Sequence, residues 1–484
     1  MNRNRIPEDV KRVHMIAVCG TGMGALACML KDKGYMVTGS DSAVYPPMST
    51  FLQSRGIPIF DGFHERNLDS GPDLVIVGNA VRRDNPEALR TAELGLNFCS
   101  MPQAVNRFIA DGKKTVLVAG THGKTTTSAL AAGLLTEAGY DPSFFIGGIL
   151  TDYASNYRLG SGDYIVIEGD EYDTAYFDKE PKFLHYFPHV GILTGVEFDH
   201  ADIFKDIEHV KKAFEKFVSK LNRGDTLVAY DDNAIVDELV GRSSCRVMRY
   251  GVKPGSEWSV KNIHVHPPWT EFDVVGFGKP YGRFRSRLMG MHNVVNALAV
   301  IAASGILEVP AEKTIRALSA FSGVKRRQEI RGMKNGITVM DDFAHHPTAV
   351  RETIAAVRPF YPDGRIIAVY EPRTNTSMRN VFQRVYPDAF SKADIICIRK
   401  PPLLSKIPPE ERFSSKKLVS DLQKKGKNAH YFQETEPIIE FLKTVSKPKD
   451  LILIMSNGGF DNIHERVLEA LCPVRRPNEP SKRP

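Results

Sequence analysis

Short, unbroken apolar runs recur along this chain, each followed by a polar turn and then by a helical pattern. They include residues 115–119, Tyr164-Ile-Val-Ile-Glu168, Val190-Gly-Ile-Leu-Thr194, Arg365 to Tyr370, Ala393 to Ile398 and Leu451 to Met455. A strand with one wet face alternates apolar and polar positions. Continuous runs alternating with helices instead predict parallel sheets covered on both faces. The pattern divides into three segments. The first opens with a strand and glycine turn, His14-Met-Ile-Ala-Val-Cys-Gly20-Thr-Gly22-Met-Gly24, then a helix to about Lys33. A second strand, Tyr35 to Gly39, leads to Asp41. Leu74 to Gly78 is a further buried strand, and Met101-Pro102 closes the unit. The second segment starts at Lys113 with a strand, a turn and a helix predicted over Ser128 to Ala138. It turns strand-rich over 225–290 and ends in helices at 292–304 and 311–320. The third starts near Lys325-Arg326-Arg327, with another strand at Gly336 to Met340 and a long loop at 399–415; no internal repeat is present.

The expected fold class is therefore α/β in three domains. A Rossmann-like domain spans 1–112, a central P-loop domain 113–327, and a C-terminal Rossmann-like domain 328–472; the tail 473–484 is expected to be disordered. The net charge of +7 suggests nucleic acid until it is located. Residues 473–484 carry four basic and one acidic side chain, and residues 1–12 four basic and two acidic. Most of the excess sits at the two ends, so no basic nucleic-acid face is indicated. No apolar run is long enough for a transmembrane helix, and the polar start, MNRNRIPEDVKRVH, has no signal-peptide apolar region. The six cysteines are scattered without metal or redox spacing. They read as reduced thiols, which with the polar start predicts a cytoplasmic protein.

Candidate chemistry concentrates at strand ends. Gly120-Thr121-His122-Gly123-Lys124-Thr125-Thr126-Thr127 follows the apolar run 116–119, in the strand–loop–helix context of a phosphate-binding loop. Backbone N–H groups and the helix N-terminus suit a phosphate, Lys124 adds a full charge, and the Thr125 hydroxyl suits Mg²⁺. Val118 stands where the usual spacing has a first glycine, so the loop is a shortened variant. Its plain alternative is a glycine turn with a solvated lysine. Glu168 ends a buried strand and opens Glu168-Gly-Asp-Glu-Tyr-Asp173, where one acid can hold Mg²⁺; a solvated acidic loop is the plain reading. The next strand ends in Glu197-Phe-Asp-His200-Ala-Asp202, which brings His200 toward the same edge for metal or phosphate contact. His292 precedes Asn293 and Asn296, one helical turn apart, whose amides suit an adenine edge or a solvated helix face. Arg326-Arg327 at the boundary suits a phosphate clamp or a linker charge pair. Asp341-Asp342-Phe-Ala-His345-His346 follows a strand, and its two acids and two histidines are suggestive; with no further His or Cys at zinc spacing, zinc ranks below ATP or substrate contact. The turn Gly20, Gly22, Gly24 with Asp41 about 20 residues on matches a dinucleotide fingerprint and by itself suggests NAD.

Taken in order, GTHGKTTT, EGDEYD, VEFDHADIF, MHNVVNALA, RRQEIRG and DDFAHHPT resemble the Mur ligase family over essentially residues 13–470. The resemblance implies an ATP- and Mg²⁺-dependent ligase of bacterial wall synthesis. ATP lies on 120–126 with Lys124 on its phosphates, and His292, Asn293, Asn296, Arg327 and Asp342 contact the nucleotide. Thr125, Glu168 and His200 hold Mg²⁺, with Lys124, Glu168 and His200 as the catalytic set. It overrides NAD: the first domain would hold UDP-N-acetylmuramate through Gly20, Gly22, Gly24, Asp41 and Asn79. The third would take the incoming peptide, with His345 and Arg373 as substrate contacts. Tyr45-Pro-Pro-Met-Ser-Thr50, Gly78-Asn-Ala80, Tyr172 to Lys179, Lys182 to Tyr186 and Ser456-Asn-Gly-Gly-Phe460 point to the members that attach L-alanyl-γ-D-glutamyl-meso-diaminopimelate in wall recycling. The alternative within the family adds only L-alanine. Outside it stand an NAD-dependent oxidoreductase and a non-catalytic nucleotide-binding protein. Two departures from the family pattern matter. Gly195 replaces a common Asn, so no contact is carried over there. Lys211-Lys212 fall short of the position of the carbamylated lysine some members use, and none is claimed. The expected assembly is a monomer or weak dimer.

Overall fold

The computed structural model describes residues 3–44, 48–253 and 255–471. The tail 473–484 and Tyr45-Pro46-Pro47 of the first discriminating segment lie outside them. Three sheets follow one another along the chain. The first is five-stranded and wholly parallel, in the spatial order Ile59–Asp61, Met36–Asp41, Arg12–Ile16, Leu74–Val77, Phe98–Ser100. The chain runs outward from Arg12–Ile16 on one side and then returns to pair Leu74–Val77 on the other. That reversal opens a crevice at the carboxyl end of the first strand, where open α/β sheets bind ligands. The Gly20 turn sits there, and helix Thr21–Asp32 leaves from it.

The central sheet has ten strands. The strand Lys114–Ala119 lies between Tyr164–Glu168 and Pro188–Leu193, parallel to both. All three are buried nearly throughout, which is why their sequences show no alternation. Their carboxyl ends therefore deliver the phosphate loop, Glu168 and the 194–202 segment to one edge. Beyond Arg246–Gly251 the sheet continues through three antiparallel strands, Trp258–His266, Trp269–Gly276 and Lys279–Ser286. Helix Lys124–Glu137 begins four residues before its expected start, so Lys124 and Thr125 occupy its first turn. The strand pair Ser143–Leu150 and Ser155–Arg158 on the far edge has no clear counterpart in the apolar pattern.

The third sheet orders its strands as Glu329–Lys334, Ile337–Asp342, Leu451–Met455, Ile366–Tyr370, Ile395–Arg399, Asn428–Phe432. Only the first pairing is antiparallel. Packing divides the molecule unequally. One apolar cluster runs from Val13 and Leu26 through Phe145 and Tyr157 to Phe183 and Leu221, so the first two sheets share core. The third sheet has cores of its own around Val350, Ile396 and Ile454. It meets the phosphate-loop edge through the polar contacts described below and through the ring of Phe382 against Phe198. Among the described residues, no helix is long and apolar enough to cross a membrane.

Candidate active site

A cavity of about 1340 Å³ lies where the carboxyl edges of the three sheets face one another. Its wall takes Gly20, Gly22, Asp41 and Asn79 from the first sheet. The second contributes Thr121 to Thr126, Glu168, His200, His292, Asn293 and Asn296. Arg327, Asp342 and His345 complete it. Of the expected site residues, Gly24, Gly120 and Arg373 are not on this wall.

The phosphate loop is held open by glycine geometry. Gly120 has φ +137°, and a Cβ there would stand 2.2 Å from Thr194 Oγ1. Gly123 has φ +79°, with a Cβ position 2.5 Å from Asn296 Oδ1. Neither site accepts a side chain without displacing the loop. The Lys124 ammonium folds back on the loop, 2.6 Å from Gly120 O and 3.3 Å from Thr121 O, and lies 2.7 Å from a Glu171 carboxylate oxygen. Burial works against its charge, but the carboxylates of Glu171, Asp170 and Glu168 outweigh burial and raise its pKa. Lys124 is thus a fixed cation, aimed where the helix N-terminus already favours an anion.

The Thr125 hydroxyl donates to Glu168 Oε1 at 2.8 Å and accepts from Arg327 Nη2 at 3.2 Å. The other Glu168 oxygen accepts the Gly147 N–H at 2.6 Å. Gly148 is required beside it, because a Cβ would stand 2.6 Å from Thr125 Cγ2. His200 reaches this group indirectly. Its Nε2 is 3.0 Å from Glu171 Oε1, which makes Glu171 the link between His200 and Lys124. Burial opposes protonation of His200, and the hydrogen bond and charge of Glu171 overcome it, so its pKa is raised. The hydroxyl of Thr125 and the carboxylate of Glu168 form a hard oxygen pair suited to Mg²⁺, and the imidazole of His200, oriented by Glu171, lines the same cavity.

Helix Met291–Ile306 brings Asn293 and Asn296 to the loop. Both are buried, and they bond to each other at 3.2 Å. Asn293 also donates to Met289 O and Gln328 Oε1. They are not a solvated face; Asn296 packs directly on Gly123. His292 Nδ1 has no hydrogen-bond partner, and burial drives its pKa down to about 4, so the ring is neutral. Arg327 has its pKa lowered by burial, and Asp342 has its own raised by burial against the opposing charge of Arg327. Asp342 accepts from the Gln328 and Ala344 N–H groups and from the Thr353 hydroxyl.

In the first sheet, Asp41 accepts the Cys19 N–H at 2.9 Å and the Ala43 N–H at 3.1 Å, so its carboxylate also ties the glycine turn to the next loop. Gly24 serves packing: a Cβ would stand 2.7 Å from Met48 Sδ. His345 Nδ1 lies 3.0 Å from Phe343 O, and its Nε2 faces Asp199 at 3.7 Å. Arg373 is one-third exposed, with a single long ion pair to Glu371 at 3.7 Å. It stands off the cavity wall at the carboxyl end of Ile366–Tyr370, against Gly458.

Sequence reasoning quoted the segments that hold Glu171, Glu197, His346 and Thr348 but assigned none of the four a site role. Thr348 donates its hydroxyl to Glu197 Oε2 at 2.9 Å, and the Ala201 N–H donates to Thr376 Oγ1 at 3.1 Å. These bonds join the third sheet to the loops of the second.

Comparison with known proteins agrees with this layout. Three family models match in chain order: "Mur ligase family, catalytic domain" over residues 12–113, "Mur ligase middle domain" over 118–304, and "Mur ligase, glutamate ligase domain" over 326–458. The UDP-N-acetylmuramate–L-alanyl-γ-D-glutamyl-meso-2,6-diaminoheptandioate ligase of Escherichia coli is 38% identical, over 95% of this chain and 98% of that protein. A UDP-N-acetylmuramate–L-alanine ligase of Clostridium tetani is 32% identical, over 93% of this chain and 96% of its own length. Among solved structures, a murein peptide ligase from Psychrobacter arcticus superposes with a TM-score of 0.71 at 33% identity, covering 96% of this chain and all of that one. A UDP-N-acetylmuramate–alanine ligase from Thermotoga maritima gives a TM-score of 0.77 at 26% identity, covering 95% and 99%. With the models following one another across the three sheets and relatives above 30% identity over nearly the full length, the chain belongs to the Mur ligase family.

Proposed function

We propose that this chain is an ATP-dependent cytoplasmic ligase. It joins the carboxylate of UDP-N-acetylmuramate to the amine of L-alanyl-γ-D-glutamyl-meso-diaminopimelate, a tripeptide recovered from old wall. The observation that carries this reading is the single cavity bounded by all three sheets, with the phosphate loop between the Gly20 turn and the Asp342–His345 loop. A three-substrate reaction needs one space in which nucleotide sugar, ATP and peptide amine meet. Identity to two tripeptide ligases, at 38% and 36%, against 32–33% for the L-alanine ligases, supports the tripeptide.

The residues suit a two-step transfer. The loop N–H groups and Lys124 hold the ATP phosphates; on binding, the ammonium exchanges the Gly120 and Thr121 carbonyls for phosphate oxygens. Thr125, Glu168 and, once it gives up its proton, His200 would hold Mg²⁺, which would supply charge neutralisation on the phosphate oxygens. Asn296, packed on Gly123, and Arg327, bonded to Thr125, keep the loop in register and complete its cationic rim. The muramyl carboxylate, brought in by the Gly20 turn, takes the γ-phosphoryl group, and ADP leaves. The tripeptide amine then attacks the acyl carbon of that acyl phosphate, and inorganic phosphate departs with the amide formed. Positioning and preorganised charge carry both steps. Arg373, near the carboxyl edge of the third sheet and weakly engaged, suits a peptide carboxylate.

The better superposition on an alanine ligase keeps the L-alanine reading in view. Phosphate release with ATP, Mg²⁺ and UDP-N-acetylmuramate decides between them. The tripeptide should drive turnover far better than L-alanine; faster release with L-alanine overturns the tripeptide assignment, and release with neither overturns the ligase.

A further inference from the structure

His122, Glu197 and His346 come from three separate places in the sequence, and none belongs to the Thr125–Glu168–His200 set. His122 projects from the phosphate loop, Glu197 follows the strand Pro188–Leu193, and His346 caps helix Pro347–Val357 of the third sheet. Their ligand-capable atoms all lie within 4.8 Å of one another. His122 Nε2 is 3.3 Å and His346 Nδ1 3.8 Å from the same oxygen, Glu197 Oε2. The two imidazole rings have centroids 4.8 Å apart.

We infer that these three side chains form a binding site for a borderline-soft divalent cation of the zinc class, bridging the phosphate loop and the third sheet. Two imidazoles and one carboxylate are a ligand set such ions favour over Mg²⁺, which seeks oxygen. Tetrahedral zinc, with bonds near 2.0–2.1 Å, spaces its ligand atoms about 3.3 Å apart. The His122–Glu197 separation already matches; His346, 3.8 Å from Glu197 and within 4.8 Å of His122, must move inward to close the other two edges.

At His346 the far ring nitrogen is already supported. His346 Nε2 faces the Phe198 carbonyl at 3.2 Å, while Nδ1 accepts the Thr348 N–H at 3.2 Å. That pair of contacts assigns the proton to Nε2 and puts the Nδ1 lone pair on the Thr348 N–H, so a cation binds Nδ1 by displacing that N–H. An imidazole whose far nitrogen donates to a backbone carbonyl is the common outer support of a metal-bound histidine. Burial keeps His346 neutral, and the hydrogen bond from His122 holds Glu197 ionised. At His122 the cation takes the place of the proton now shared with Glu197, and the ring carries its proton on Nδ1 instead. Thr348, on Glu197 Oε2 at 2.9 Å, fixes the carboxylate. Occupancy ties the third sheet to the phosphate loop through coordinate bonds where Thr348 and His346 now do so by hydrogen bonds.

The test is Co²⁺ titration of the full chain in saturating Mg²⁺ without nucleotide, followed by visible d–d absorption. The wild type should take up one equivalent with the intense band of four- or five-coordinate cobalt. Glu197→Gln and His346→Asn should lose it, while Glu168→Gln should keep it. Asparagine remains a good helix cap, so His346→Asn should fold, with the melting profile as the check. No band in the wild type overturns the inference. So does a band that survives both substitutions, or one lost in Glu168→Gln alone.

Discussion

Replacing Gly123 with alanine should damage both the fold and nucleotide turnover, by an amount the local geometry sets. The residue precedes helix Lys124–Glu137 with φ +79°, a conformation that costs an L-residue roughly 1–2 kcal/mol. The added methyl would also stand 2.5 Å from Asn296 Oδ1, and Asn296 is buried and bonded to Asn293, so it cannot swing away freely. Overpacking of that kind costs about 1–3 kcal/mol. Together the two effects amount to roughly 2–5 kcal/mol, or a Tm lowered by roughly 5–15 °C for a unit of this size. Relaxation would push the loop away from the helix by a fraction of an ångström to an ångström, enough to cost on the order of 100-fold in turnover. Calorimetric melting with ATP-dependent phosphate release tests both parts. The double substitution Gly123→Ala/Asn296→Ala should recover the overpacking share of the Tm loss while keeping the backbone share. A single variant with wild-type Tm and wild-type KM for ATP would refute the argument, as would a double variant that recovers nothing.

Lys124→Met should lower kcat by about 10²–10³, the usual cost of losing one preorganised donor to developing charge, with binding of UDP-N-acetylmuramate by calorimetry unchanged; near-normal kcat removes the lysine from the phosphates. Arg373→Ala should raise KM for the tripeptide about tenfold, as for a charged hydrogen bond worth ~1.5 kcal/mol, and leave KM for ATP alone; equal losses toward all substrates would place it elsewhere. His292 has its pKa pushed down to about 4 from an unfolded value of 6.5. The unfolded chain therefore binds the extra proton first, and this residue's contribution to stability is complete above pH 6.5 and falls away as pH drops toward 4, by at most about 3 kcal/mol. His292→Gln should flatten that part of the Tm-against-pH curve; an unchanged slope assigns the acid sensitivity to other groups.

The parts of the site legible in the sequence are those where one local signal suffices. A continuous apolar run followed by Gly-x-x-Gly-Lys-Thr specifies a buried strand, a tight turn and a helix whose first residues face the ligand. Glu168 could be placed because it ends such a run, so its position relative to the loop follows from parallel pairing alone. The strand Ser143–Leu150 shows the limit. Its Gly147-Gly148 pair reads as a break, yet both glycines are there for the site: Gly147 gives its N–H to Glu168, and Gly148 makes room for Thr125. A paired glycine inside an apolar stretch was the available signal, pointing to close approach rather than a loop.

What stayed illegible depends on which way a side chain turns after the strand has ended. EGDEYD offers four acids, and no periodicity tells that Asp170 would turn to Lys182 while Glu171 would turn inward to Lys124 and His200. Nor does spacing along the chain reveal that Thr348 would meet Glu197, because that contact exists only once separately cored sheets are set edge to edge. The same reasoning explains His346. In the sequence it has one histidine neighbour and no metal spacing, and that is a correct statement about the segment. Its partners are 224 and 149 residues away, at His122 and Glu197, and only the meeting of two sheets supplies them. Sites assembled within one strand-turn-helix unit are written locally. Those assembled between units are written in the packing, which is why the contacts of the third sheet with the phosphate loop are where this structure adds most to its sequence.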